Sequence, residues 1–100
     1  MTGTAELVQA ICLMIKANAT PVPITLMNRG LDEAASIIGA VVERCERDAI
    51  PLSRIYLDPE LGRELGLDDG KVLQHGARPT ICWDPELGRS LRFETDRAAP

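Results

Sequence analysis

Residues Leu31–Arg47 read LDEAASIIGAVVERCER, and this stretch decides the fold class. Leu31, Ala34, Ala35, Ile38, Val41, Val42 and Cys45 recur at three- and four-residue spacing, the period of one helix face. Asp32 and Glu33 stand in the first turn and Arg44 and Arg47 in the last, where they complement the helix dipole. Ile37 widens the stripe, so the helix is expected to be buried along much of its girth. Upstream, Pro21 and Pro23 forbid a helix and lead into a short strand at 24–27, and Asn28-Arg29-Gly30 forms a turn. Downstream, Ile50-Pro51 stops the helix and 53–57 reads as a second strand. Strand, helix and strand make a βαβ unit, whose connection is normally parallel and right-handed.

Beyond this unit the chain repeats itself. DPELGR occurs at Asp58–Arg63 and again at Asp84–Arg89. Ile55-Tyr56-Leu57 leads into the first copy and Ile81-Cys82-Trp83 into the second. Asp-Pro starts a tight right-handed turn, because Asp accepts a backbone N–H and Pro fixes the next φ. Glu64-Leu65-Gly66 lets the first copy continue as a short helix over 59–65, capped by Asp58 and closed by Gly66. Ser90-Leu91-Arg92-Phe93 alternates like a strand, so the second copy reads as a hairpin loop between strands at 80–83 and 90–94, with Gly88 at a left-handed position. A rival reading has both turns offering Asp58, Glu60, Asp84 and Glu86 to a cation from one sheet edge. Two carboxylates per loop are few for calcium, so turn chemistry is the stronger account.

At the N-terminus, Thr4 can cap a helix running to Ala17, with Leu7, Val8, Ile11, Leu13, Met14 and Ile15 on one wide apolar face. A helix lying on a small sheet needs a stripe of only about 100°. Val8 and Leu13 fall outside a stripe centred on Leu7, Ile11 and Ile15, and are the expected contacts of a partner, most simply a second copy in a homodimer.

Composition narrows the chemistry. One hundred residues suffice for one domain, expected over 1–95 with a frayed tail at 96–100. A net charge of -4 and only two lysines, Lys16 and Lys71, argue against a nucleic-acid partner. Cys12, Cys45 and Cys82 lack framework or ligand spacing and His75 stands alone, which points to free thiols in a reducing, cytoplasmic compartment and to no metal or other cofactor. The apolar run from Leu7 to Ile15 is too short to span a bilayer, and no membrane partner is expected.

The element order, with Arg78-Pro79-Thr80 leading the last two strands, resembles the thioredoxin-like fold, which implies a cis Pro79. Asn28-Arg29-Gly30-Leu31 stands where that family carries its redox Cys-x-x-Cys, so disulfide chemistry is not implied. The stretch from Arg54 to Gly70 is similar in part to the swapped-hairpin DNA-binding motif of transition-state regulators, against which the acidic charge speaks.

The whole reads as a two- or three-layer α/β domain with a four-stranded mixed sheet, in the order α-β-α-β-short α-β-β with a C-terminal hairpin. Its expected role is a non-catalytic protein-interaction or regulatory module that self-associates. The alternative is an anion- or ligand-binding domain, enzymatic or not, acting at Asn28, Arg29 and Gly30 with Asp58 at the end of the neighbouring strand.

Overall fold

A computed structural model of the chain describes residues 3–17, 22–25, 30–88 and 90–95. Along the chain run α1 (Gly3–Ala17), β1 (Val22–Thr25), α2 (Leu31–Arg47), β2 (Leu52–Leu57), α3 (Pro59–Leu65), β3 (Thr80–Trp83) and β4 (Ser90–Thr95). The helices α2 and α3 and the strand β3 occupy the stretches read from sequence. The tail expected at 96–100 lies outside the described residues.

Backbone chemistry explains the helix ends. Gly30 caps α2 with extended backbone and no side-chain cap, and its carbonyl accepts the Ala34 N–H at 3.0 Å. At the other end Ile50 N–H reaches the Cys45 carbonyl at 2.8 Å, which needs the left-handed φ of 57° at Ala49. The short helix α3 follows the anticipated recipe: the Asp58 carboxylate accepts the Glu60 N–H at 2.9 Å, Pro59 opens the helix, and Gly66 closes it at φ 73°.

The sheet is mixed. β3 lies parallel to β2, and β4 lies antiparallel to β2 on its other side. β1 runs antiparallel along the far edge of β4, giving the order β1-β4-β2-β3. Thus β4 inserts between the two strands of the first βαβ unit, which remain parallel without touching. The expected C-terminal hairpin is not formed, because β2 separates β3 from β4.

Both edges of β3 are already taken, which is why β4 cannot fold back on it. β2 holds the inner edge. On the outer edge Gly70 N–H donates to Ile81 O (2.7 Å), Ile81 N–H to Lys71 O (2.7 Å) and Leu73 N–H to Pro79 O (3.0 Å). Residues 70–73 therefore seal a sheet edge. Leaving β3, the chain crosses the end of β2, with Asp84 N–H on the Leu57 carbonyl at 2.8 Å.

The strand order also departs from the thioredoxin-like expectation. The thioredoxin-like reading rested on a Pro-led terminal hairpin, and no cis peptide bond occurs among the described residues. The stretch likened to the swapped hairpin holds the expected short helix α3.

One apolar core joins the layers. Ile55 and Leu57 of β2, Ile81 of β3 and Leu91 and Phe93 of β4 share a cluster with Ile37, Ile38, Val41 and Val42 of α2, Leu61 of α3 and Ile11 of α1. Burial of each such side chain contributes about 1.5–3 kcal/mol. A bulge at Ser53 shifts the register between Leu52 and Arg54, so Leu52 also turns inward. The α1 stripe is rotated from the expected one. Val8, Ile11, Cys12 and Ile15 face inward, and Val8 is 6% exposed. Leu13, at 58%, faces out. Val8 is therefore not available to a partner, and Leu13 is left exposed without Val8 beside it.

Candidate functional site

Strand alternation divides the sheet into two faces. Buried residues of all three helices join the cluster on the face of Ile55, Ile81 and Leu91. The opposite face carries Arg54 and Tyr56 from β2, Thr80 and Cys82 from β3, and Arg92 and Glu94 from β4, none of them buried. No described helix covers it.

Register arranges these side chains in rows. Tyr56 lies between Arg92 and Cys82, and Arg54 between Glu94 and Thr80. Since β4 and β2 are the inner strands, Tyr56 and Arg92 stand near the centre. The Arg92 guanidinium sits 4.4 Å from the Tyr56 ring centroid, within cation–π range. Glu94 Oε1 accepts hydrogen bonds from the Tyr56 hydroxyl at 3.0 Å and from Arg54 Nη1 at 2.7 Å. Arg92 Nη2 also reaches Asp84 Oδ2 at 3.4 Å. The result is one chain of contacts, Arg54–Glu94–Tyr56–Arg92–Asp84, which fixes the tyrosine at both ring and hydroxyl.

The electrostatics follow from this chain. The Arg54 hydrogen bond, aided by the Tyr56 hydroxyl, holds the Glu94 carboxyl below its ordinary range against the opposing effect of burial. Burial, then the hydrogen bond to Glu94, pushes the Tyr56 phenol up. Burial also raises the Cys82 thiol, with Arg54 opposing. The site thus holds charged, internally neutralised groups and a protonated tyrosine and cysteine at neutral pH.

The two DPELGR copies meet this site unequally. They leave the parallel pair β2/β3 at matching positions, because Leu57 pairs with Trp83 in the register. Asp58 and Asp84 start the same turn: Glu60 N–H binds Asp58 Oδ2 at 2.9 Å, and Glu86 N–H binds Asp84 Oδ1 at 3.0 Å. Only Asp84 has its second oxygen on Arg92, and so belongs to the open face. Among the described residues no group of three His, Cys, Asp or Glu side chains converges as metal ligands.

The other residues marked in the sequence are less gathered. Asn28 and Arg29 lie outside the described residues. Gly30 is the N-cap of α2, and Asp58 spends a carboxylate oxygen on capping α3. Asp69 accepts the Trp83 N–H at 2.9 Å and ties off the end of β3. His75 edges an apolar groove of about 150 Å³ between α2, α3 and the following loop, with Ile38, Gly39, Leu65 and Leu73 in its walls. That volume is below the roughly 300–1,000 Å³ of small-molecule sites.

Sequence reasoning missed the open face. Its signal lay in Arg54-Ile55-Tyr56-Leu57 and Leu91-Arg92-Phe93-Glu94, two strands polar at every second position. A strand inside a three-layer α/β domain is apolar on both sides, whereas such alternation marks a sheet covered on one side. No helix of the described residues is long and apolar enough to cross a membrane. No family model, curated protein or solved structure matches the chain.

Proposed function

We propose that this chain is a non-catalytic protein-interaction module whose binding surface is the helix-free sheet face centred on Tyr56 and Arg92. The observation that carries this reading is the held tyrosine. Tyr56 is stacked by Arg92 and hydrogen-bonded to Glu94 in the middle of the sheet face that no described helix covers. Tyr and Arg are the residue types enriched at the energetic centres of interfaces, and a side chain fixed in advance loses less entropy on binding. A catalytic reading is less well supported. No charged or polar residue is buried among the described residues, so the desolvated polar cluster of an enzyme site is not in evidence. The sealed outer edge of β3 disfavours strand addition there. Two buried thiols, Cys12 and Cys45, suit a reducing, cytoplasmic setting.

A photo-crosslinking amino acid placed at Thr80, on this face, tests the reading in cells of the source organism. Glu43, exposed on α2, provides the control position. Irradiation is expected to yield protein adducts from position 80 and none from position 43. Adducts from position 43 alone, or from neither position, contradict the assignment.

A further inference from the structure

The four charged groups linked across the open face cancel, Arg54 and Arg92 against Glu94 and Asp84, with Asp69 at the rim near Cys82. The chain as a whole carries a net charge of -4, all of it therefore outside this set. A net negative charge keeps copies apart. The linked set on this face adds nothing to that repulsion, and its arginines can exchange their own carboxylates for those of the other copy. We infer that the partner of the open face is a second copy of this chain, docked face to face about a two-fold axis. The inference rests on the interaction reading above and names its partner.

A two-fold interface is isologous, so the same patch must complement itself. A row of Glu94, Arg54 and Thr80 beside a row of Arg92, Tyr56 and Cys82 provides both signs and an aromatic centre on one surface. Three strands about 4.8 Å apart and about 20 Å long offer a footprint of roughly 300 Å². Specific, stable complexes bury about 800 Å² per partner, so a contact of this size belongs with weak, transient ones. It is then a concentration-dependent association, as suits a regulatory contact.

Sedimentation equilibrium of the full chain from about 1 µM to about 500 µM provides the test. A reversible monomer–dimer equilibrium is expected. Tyr56→Ala should weaken it about tenfold or more, and Glu43→Arg on α2 should leave it unchanged. The paired variant Arg54→Glu/Arg92→Glu should be monomeric alone, Glu94→Arg should be weakened alone, and their equimolar mixture should dimerise again. Circular dichroism of each variant separates a lost contact from a lost fold, and the recovery in the mixture requires both variants to be folded. A monomer throughout the range, or a dimer indifferent to Tyr56→Ala and to the charge variants, overturns the inference. Should the purified chain stay monomeric while position 80 still crosslinks a protein of another mass in cells, the second copy is excluded and the interaction reading survives.

Discussion

Trp83, the residue that leads into the second DPELGR, lies directly over Gly62 of the first. Its indole Nε1–H donates to the Leu67 carbonyl at 2.9 Å. A Cβ on Gly62 would collide with that indole nitrogen and stand 2.9 Å from the same carbonyl oxygen. Gly88, the matching glycine of the second copy, has open space around it but a φ of 60°. One glycine is needed for close packing and its twin for a left-handed backbone.

Gly62→Ala should therefore destabilise the fold by overpacking, by about 1–3 kcal/mol less the roughly 1 kcal/mol that alanine adds to helix propensity. Gly88→Ala should cost about 1 kcal/mol through backbone strain alone. Urea denaturation separates the two when each is combined with Trp83→Phe, which removes the indole N–H and narrows the ring. The Gly62→Ala penalty should shrink in that background and the Gly88→Ala penalty should not.

Ala49 offers the opposite sign. It occupies a left-handed φ of 57° after α2, a place where glycine is preferred. Ala49→Gly should raise stability by about 0.5–1 kcal/mol, since the relief of strain exceeds the added chain entropy. For a domain of this size that is a rise of a few degrees in Tm, measurable by scanning calorimetry. An unchanged or lower Tm would contradict the helix end described here.

The three thiols should separate by reactivity. Burial, with Cys12 beside it, pushes Cys45 up to about 12, and burial raises Cys12 as well. Both stay protonated at neutral pH, and the thiolate is the reactive species. Maleimide treatment of the folded chain should modify Cys82, the half-exposed thiol, ahead of the other two. All three should react in denaturant. Reductant should leave Tm unchanged. Rapid labelling of Cys12 in the folded chain, read by peptide mass, would show that α1 does not pack as described.

Glu94 sets an acid dependence. Its folded pKa lies below the ordinary 4.5, so its contribution is fully present above that value. It is lost as pH falls through the folded pKa, because the unfolded chain binds the proton first. The stability gap between the wild type and Glu94→Gln should be constant near neutral pH and close below about pH 4.5. A gap that widens on acidification would mean that Arg54 and Tyr56 do not hold the carboxylate.

Much of the fold was legible because local chemistry dictated it. The stripe from Ala34 to Cys45 and the capped segment 59–65 follow from spacing, proline and glycine alone. The order of strands did not follow, since it depends on which edge of β3 is free. That was settled by residues 70–73, a segment with little periodicity, and by Asp69. Val8 was misplaced because a stripe of Leu7, Ile11 and Ile15 and one of Val8, Ile11, Cys12 and Ile15 fit the same helix, and only packing against α2 chooses between them. The open face escaped notice for a related reason. Tyr56 is far from Arg92 in sequence and meets it only once β4 lies beside β2.

The single tyrosine permits a direct reading of the central claim, that the helix-free face is the surface through which this chain associates. Proton NMR of the purified chain, recorded from about 10 µM to about 1 mM, would follow the Tyr56 ring and the Trp83 indole together. They lie on opposite faces of the sheet, and the indole N–H is already bound to Leu67. The Tyr56 ring resonances should shift and broaden as concentration rises, while the Trp83 indole signal holds its position. A Tyr56 ring that stays sharp and unshifted to the highest concentration, or one that stays fixed while the indole moves, would contradict the account.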